Sequence, residues 1–530
     1  MPAPDLLVVG CIHTLDPARP LAGATLVRDG RFAIVGSEAE CSRAARGGVR
    51  RIDLGQGAAV PGLADAHGHL VLHGRALVEV DCRGARSAAE CAERAARAAA
   101  AAPGVAWLRG RGWDETRYEL PALPDAAALT AAVPDRPVLL ERVDGHAAWV
   151  NAAALAAAGI GTGTADPPGG RIHRDGAGRP TGILVDRAQD LVLARMPPPG
   201  DAELEAAILR ALAALARVGV TGVHDAGVPP AALPVLRRLV AEGRLALRVE
   251  AMLDGTVDPD RLAAAMEEAR PLRGGGWLSV HAVKLFADGA LGSRGAALRA
   301  PYADEPGNRG LLLLEPAALR ARVASVVAAG YQPAVHAIGD LACGEVLRAF
   351  AAAGDACRAL RPRVEHLQVL DPADVPLLAA TGAVASMQPV HCASDAPWVP
   401  ARLGAVRARG AYAWRTVRDA GAVLAFGSDF PVEPPDPRLG LHAAETRRSR
   451  AGEPFVPEER LSREEALRAF TAGAAWASFA ERRRGMVREG FDADLTAFAE
   501  DLLAVPPYAL PSLPVTLTVV GGRVVFEAAA

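Results

Sequence analysis

The chain has 530 residues, a formal net charge of −3 and 51% apolar residues, which is long enough for an α/β barrel with appended modules. Both signs of charge are spread along it, which argues against a nucleic-acid-binding surface, and no long uncharged apolar run predicts a membrane span. The N-terminus lacks a signal-peptide pattern, and the seven cysteines are scattered, never in a Cys-x-x-Cys pair. These features predict a cytoplasmic protein without a disulfide framework or a thiolate zinc site.

Both ends of the chain have the pattern of short strands joined by tight turns. Asp29-Gly30 and Gly521-Gly522 each separate two apolar runs, which is a strong hairpin signal. Either set of strands alone would leave open sheet edges. We therefore expect residues 1–58 and 484–530 to pair into one composite β-sandwich domain.

Apolar strands alternate with Ala-rich helical stretches in the central part of the chain, as in a parallel α/β fold. Eight strands can be counted, at residues 59–66, 220–226, 245–252, 280–287, 332–337, 363–367, 384–387 and 423–427. They predict a (β/α)8 TIM-like barrel over residues 59–483. The first connection is far longer than a crossover needs. We interpret residues 75–215, approximately, as an insertion over the barrel mouth, with helices around residues 88–102 and 147–158.

Residues able to bind metal stand at several of the predicted strand ends, where barrel enzymes carry their reactive groups. His67 and His69 follow the first strand, and their i, i+2 spacing points both side chains to one face. The other candidates are Lys284 on the fourth strand, His336 on the fifth, His366 on the sixth and Asp429 after the eighth. A lone strand histidine is more often a core residue than a ligand, but here one rule of placement covers the whole set.

Lys284 is also unusual in composition. The chain has 58 Lys+Arg, and every one except Lys284 is arginine. A chance escape from the codon bias is one interpretation. The other is chemistry that a guanidinium cannot do, because a buried lysine can lose its proton and react as an amine.

The order His-x-His, Lys, His, His, Asp resembles the amidohydrolase superfamily. Flanking segments resemble its amidohydrolase 3 group, in particular the branch similar to N-substituted formamide deformylase. They include residues 61–69, 144–151, 283–294, 336–340, 365–366, 388–389 and 427–432. The similarity runs over essentially the whole chain and is specific for the branch but not for a substrate.

The resemblance implies a role for each residue of the set. Lys284 would be carbamylated by CO2 and would bridge two divalent ions, most simply Zn²⁺, with Mn²⁺ or Fe²⁺ as alternatives. His67, His69 and Asp429 would hold the more buried ion, and His336 and His366 the more exposed one. Asp429 would move the proton of a metal-activated water to the leaving amine. A single-metal variant, or a turn role for Asp429, remains open.

Substrate contacts are predicted at positions around this centre. His146 would polarise the substrate carbonyl or bind its tail, although a structural loop histidine is the alternative. Arg294 follows the fourth strand, where a loop can close on a ligand, but arginine is also the default surface residue here. Gln388 and His391 follow the seventh strand, and Trp113 is an aromatic candidate for the pocket wall, with core packing as its alternative.

The predicted activity is hydrolysis of a non-peptide carbon–nitrogen bond in a small N-acyl or N-formyl amide with an apolar substituent. The alternatives are hydrolysis of a cyclic amide, urea or ester by the same centre and, more remotely, a non-catalytic barrel scaffold. The absence of a Gly-x-Ser-x-Gly motif disfavours a serine hydrolase. The expected partner is the small-molecule substrate, without nucleic acid or membrane, and a homodimer is the assembly that the resemblance suggests.

Overall fold

The structure is a computed structural model, and it describes residues 5–45, 48–142, 147–167 and 169–529. The chain forms two compact units. One comprises residues 1–71 and 208–530, and the other residues 72–207. Over the described residues, no helix is both long enough and apolar enough to cross a membrane.

The larger unit contains an eight-stranded parallel barrel, which confirms the predicted fold class. Neighbouring strands are paired in chain order, and the two outermost strands, Leu63–Gly68 and Val423–Phe426, also contact each other. The other six strands are Val220–Val228, Arg248–Asp254, Leu278–Phe286, Gln332–Ala337, Arg363–His366 and Val384–Met387. They are nearly continuous apolar runs because helices cover the outside of a parallel barrel.

Helices connect the barrel strands and follow the last of them. Several begin at recognisable caps: Asp258 and Asp436 each accept a backbone N–H, and Ser462 forms a capping box with Glu465. Their bounds are Asp201–Arg217, Ala232–Ala241, Pro259–Ala269, Pro316–Ala328, Asp340–Ala352, Gly354–Ala359, Val375–Thr381, Pro389–Asp395, Val399–Ala408, Trp414–Asp419, Pro437–Thr446, Arg463–Arg468 and Ala474–Ala477.

Strands from both ends of the chain join in one seven-stranded sheet, as the open edges of each set predict. Across the sheet they are Arg523–Glu527, Val515–Val520, Leu495–Phe498, Arg50–Pro61, Leu6–His13, Leu21–Arg28 and Arg31–Gly36. Both predicted hairpins are present. Asp29-Gly30 and Gly521-Gly522 have positive φ at both central positions, which is the geometry of a tight hairpin turn.

The smaller unit has a six-stranded sheet and its own apolar core. Its strands are Val80–Asp81, Leu108–Trp113, Val138–Arg142, Ala147–Val150, Gly170–Arg174 and Pro180–Asp186, and its helices include Ala88–Ala101, Ala126–Ala132 and Ala152–Ala157. The predicted helix at residues 147–158 is wrong in its first third. Asn151 caps the helix there, because its side chain accepts a hydrogen bond from Ala154 N–H, and the residues before it are a strand.

Candidate metal centre

The predicted ligands lie at one end of the barrel because parallel strands present their carboxyl ends on the same face. His67 is near the end of the first barrel strand, and Lys284 is on the fourth. His336 is the next-to-last residue of the fifth strand, His366 ends the sixth, and Asp429 follows the eighth by three residues.

His67, His366 and Asp429 form the tightest group, with one ligand atom of each within 4.8 Å of the others. His69 Nε2 lies 3.1 Å from Asp429 Oδ1, and the amine of Lys284 lies 3.5 Å from His67 Nε2. This grouping differs from the expected one, in which His67 and Asp429 bind one ion and His366 binds the other.

His336 completes the set, with its ring 4.6 Å from that of His366 between centroids. Its Nε2 atom is buried and has no hydrogen-bond partner among the described residues, and the same holds for His391 Nε2. Unpaired ring nitrogens beside a carboxylate are what a borderline cation such as Zn²⁺ requires, so this donor set fits a divalent metal.

Burial sets the protonation states of the basic ligands. Desolvation lowers the pKa of Lys284 to about 8, so a substantial fraction of its amine is neutral near physiological pH. Desolvation and Lys284 lower the pKa of His67 to about 4 and that of His336 to about 3. Both rings are therefore neutral and keep a lone pair for a metal.

Asp429 is anionic because the groups around it outweigh the effect of burial on its pKa. Burial would raise its pKa, but the hydrogen bond from His69 and the nearby rings of His67 and His366 hold that pKa well below its usual range. The carboxylate is thus in the form that binds a cation and accepts a proton.

Hydrogen bonds at Nδ1 fix the orientation of the His67 and His366 imidazoles. His67 Nδ1 lies 2.5 Å from Glu365 Oε2, and His366 Nδ1 lies 2.7 Å from Gln388 Oε1. An Nδ1–H that donates to an oxygen leaves Nε2 as the acceptor nitrogen, which is the tautomer that binds metal.

A buried arginine supports Glu365 from inside the barrel. Arg363 Nε donates to Glu365 Oε1 at 2.7 Å, and the same guanidinium contacts His224 Nδ1, Ser386 Oγ and the Ala66 carbonyl oxygen. Burial would raise the pKa of Glu365, but Arg363 and His67 hold it well below the ordinary value. Sequence reasoning missed this pair, although Arg363 and Glu365 alternate with the apolar residues of the sixth strand.

Two further buried aspartates hold the backbone of the site. Asp65 accepts hydrogen bonds from His67 N–H and from Ser428, which joins the first strand to the loop after the eighth. Asp288 accepts three backbone N–H bonds in the same way, two of them from the segment after His336. Burial raises the pKa of both carboxyls to about 7. Both stand in the quoted motif segments, but their role was not predicted.

A cavity of about 410 Å³ opens beside the ligands. Leu291, Ile338 and Trp398 give it an apolar wall, and Gln368, Asp395 and Glu433 give it polar groups. Its volume is in the range of small-molecule sites.

The predicted substrate contacts have different outcomes. His391 lines the cavity, whereas Gln388 is buried behind His366 and holds that ring. The Arg294 guanidinium forms ion pairs with Asp304 and Glu305 at 3.1 and 3.2 Å and does not line this cavity.

Two of the predicted contacts do not join this group. Trp113 has no exposed surface and donates its indole N–H to the Leu140 carbonyl in the core of the smaller unit, so core packing explains it. His146 lies outside the described residues.

A second group of potential ligands, Cys11, His13 and Asp501, lies in the terminal sheet region. Cys11 is exposed, and the hydrogen-bond contact between His13 Nε2 and Asp501 Oδ1 at 2.8 Å accounts for those two side chains. The buried barrel group is the stronger candidate because desolvated neutral imidazoles and a fixed carboxylate surround it.

Comparison with known proteins gives consistent matches over nearly the whole chain. A model of the amidohydrolase family matches residues 50–526. The protein YtcJ of Bacillus subtilis is 36% identical over 490 residues, covering 90% of this chain and 91% of that protein. An N-substituted formamide deformylase of Arthrobacter pascens is 28% identical over 541 residues, covering 99% and 98%. The crystal structure of an uncharacterized metal-dependent hydrolase from Pyrococcus horikoshii superposes with a TM-score of 0.81 at 26% identity, covering 95% and 99%.

Proposed function

The chain belongs to the amidohydrolase family, and on that premise we propose that it hydrolyses a non-peptide carbon–nitrogen bond in a small N-acyl or N-formyl amide, using two divalent metal ions. Zn²⁺ is the proposed metal because imidazole and carboxylate ligands suit it. Mn²⁺ and Fe²⁺ are the alternatives to include in any test.

One observation carries the proposal: three ligand atoms, from His67, His366 and Asp429, lie within 4.8 Å of one another at the carboxyl face of the barrel. His69 and His336 lie against this group, so nitrogen ligands approach it from several sides. A purely structural cluster would hydrogen-bond its polar atoms internally, whereas His336 Nε2 has no hydrogen-bond partner among the described residues and lies 3.7 Å from Asp288 Oδ1.

We propose that Lys284 is carbamylated. Its amine is buried, 1% exposed, beside His67 and over the face of Phe286, and its lowered pKa supplies the neutral form. The amine nitrogen would form a bond to the carbon of CO2 and release one proton to solvent. The product is an anionic group with two oxygens at a point surrounded by neutral rings, where a lysine ammonium would repel a cation.

The metal, once bound, would polarise the substrate carbonyl and make a water acidic near neutral pH. Asp429 would accept the proton of that water at a carboxylate oxygen and deliver it to the departing amine nitrogen. His69 Nε2 lies 3.1 Å from Oδ1 of this carboxylate. His391 Nε2 lies 3.7 Å from Asp429 Oδ2 and faces the same cavity, which suits a contact to the substrate carbonyl.

Two measurements on the purified full chain test the proposal. Metal analysis after dialysis should give close to two equivalents of a transition metal per chain. A panel of N-substituted formamides, N-acetyl amines, lactams, ureas and esters should give amine release from the open-chain amides with zinc or manganese present. A chain that holds no metal, or that cleaves only esters or cyclic substrates, would contradict it.

A further inference from the structure

The lining of the cavity beside the candidate metal centre carries two carboxylates in addition to the proposed ligands. Apart from the proposed ligands, its charged lining residues are Asp395 and Glu433. No arginine lines it among the described residues, although arginine supplies all but one of the chain's 58 basic residues. An amide with a free carboxylate would therefore meet two carboxylates, and the guanidinium that pairs with one of them, Arg450 on Glu433, does not line the cavity.

Asp395 lies on the same side of one helix as a residue next to the metal ligands. His391 and Asp395 are four residues apart on Pro389–Asp395, so they share a helix face. The His391 ring stacks on that of His366, with an interplanar angle of 9°. Asp395 is thus roughly one helical turn, about 5–6 Å, from His391 along this helix, and both residues line the cavity.

The groups that hydrogen-bond to one oxygen of Asp395 are neutral, so they do not compensate the negative charge of its carboxylate. Oδ2 accepts hydrogen bonds from the Tyr412 hydroxyl at 2.5 Å and from Gln368 Nε2 at 3.1 Å. The hydrogen bonds described for this residue leave Oδ1 without a donor. Burial raises the pKa of Asp395, and the Glu433 carboxylate adds to the rise.

Glu433 is compensated from the solvent side. Its two oxygens accept from Ser394 Oγ and from Arg450, both at 2.5 Å, and the Arg450 side chain is 64% exposed. The apolar surface of Leu291, Ile338 and Trp398 lies along the same cavity as the two carboxylates. The lining therefore suits a short hydrocarbon chain with a positive end.

We propose that Asp395 and Glu433 form an ammonium-binding subsite, and that the substrate is an amide with a cationic amino group a short methylene chain away from the scissile bond. This inference rests on the proposed amide hydrolysis and narrows its substrate class to monoacylated diamines and related cationic amides. A charge-assisted hydrogen bond to Asp395 Oδ1 would fix the position of the substrate's free end.

Three substrates of equal chain length test the subsite on the zinc-loaded full chain: a mono-N-acetyl diaminoalkane, an N-acetyl alkylamine and an N-acetyl ω-amino acid. We expect the cationic compound to exceed the neutral one in kcat/KM by roughly 10-fold or more, as a hydrogen bond to a charged group provides, mainly through KM. The anionic compound should be the poorest. Equal values, or a preference for the anion, would overturn the subsite.

Asp395→Asn and Glu433→Gln remove one charge each with little change in shape. Each should lower the ratio of cationic to neutral kcat/KM toward one. Glu458→Gln is the matched control, since this carboxylate is 65% exposed and pairs at 3.8 Å with Arg409. A ratio that neither cavity variant changes would refute the assignment, whichever substrate is best.

Binding of a free diaminoalkane, measured by calorimetry, separates this inference from the proposed function. Binding to the wild-type chain that Asp395→Asn and Glu433→Gln both weaken supports the subsite even if no amide is cleaved, in which case amide hydrolysis is the part that fails. Cleavage of neutral amides without a cationic preference and without diamine binding sinks the subsite and leaves the hydrolase intact.

Discussion

Replacing Glu365 with glutamine tests how the barrel interior controls the metal centre. The carboxylate accepts from two donors at once, His67 Nδ1–H at 2.5 Å and Arg363 Nε at 2.7 Å, and none of the three side chains is more than 2% exposed. A glutamine amide has one acceptor oxygen and one donor nitrogen. It can satisfy only one of the two donors, and its N–H groups must face the other.

Either orientation of the introduced amide harms the site. If the amide nitrogen faces His67, the imidazole must move its proton to Nε2, which then has no lone pair for a metal. If it faces Arg363, a buried guanidinium loses its counter-charge but keeps its bonds to Ser386 and Ala66. Partners of metal-binding histidines typically contribute about 10-fold to 100-fold in metal affinity, which corresponds to about 1.4–2.7 kcal/mol.

We therefore expect Glu365→Gln to bind zinc about 10–100 times more weakly than the wild type, measured by competition with a chromophoric chelator. Loss of the buried partner of Arg363 should also lower the free energy of unfolding by up to about 3–5 kcal/mol. Glu464→Gln is the control, because its ion pair with Arg468 is on an exposed helix face. A folded Glu365→Gln chain with wild-type zinc affinity would refute the reasoning.

Three further predictions concern the residues around the same centre. Lys284→Arg should abolish activity and lower the metal content, and in Lys284→Ala a short carboxylic acid added at high concentration should restore part of the activity. Full activity of the arginine variant would exclude a carbamate. After metal and CO2 have been removed at low pH, reactivation at a fixed concentration of dissolved CO2 should rise about tenfold per pH unit up to about pH 8 and then level off, because the neutral amine of Lys284 reacts and its pKa is about 8. A reactivation rate that falls with pH would contradict this sign. Gln388→Leu should leave His366 Nδ1–H without its acceptor and lower zinc affinity about tenfold, measured by the same chelator competition, whereas an unchanged affinity would show that Gln388 does not orient the ring.

The sequence predicted the barrel well because each strand is a short apolar run with turn residues at its ends. The fifth and seventh strands have the predicted bounds, residues 332–337 and 384–387. The sheet inside the smaller unit was not predicted. Its strands are short, and strands such as Ala147–Val150 are rich in alanine, so composition favours helix and only pairing with neighbouring strands decides otherwise.

The clustering of the candidate ligands could be predicted because they share one position relative to the strands. The residues that hydrogen-bond to these candidate ligands could not be predicted, because the sequence alone does not reveal which side chains are buried. Glu365, Asp65 and Asp288 are three of 61 acidic residues, and no local pattern separates a carboxylate inside the barrel from one on its surface. The pocket-wall prediction for Trp113 is wrong for a related reason, because a large aromatic side chain fits a protein core as well as a pocket wall.

The backbone at two of the ligands indicates why so much buried polar structure surrounds them. His366 and Asp429 have φ values of 73° and 61°, in the left-handed region that costs a non-glycine residue roughly 1–3 kcal/mol. Such conformations persist only where neighbours enforce them. Gln388 holds His366, and Asp429 N–H donates to the His67 carbonyl at 2.7 Å in a loop that Asp65 also binds through Ser428. Both residues are thus held in a backbone conformation that a relaxed chain rarely adopts. The buried carboxylates and amides then belong to the candidate centre, because their hydrogen bonds hold the His366 ring and the loop that carries Asp429.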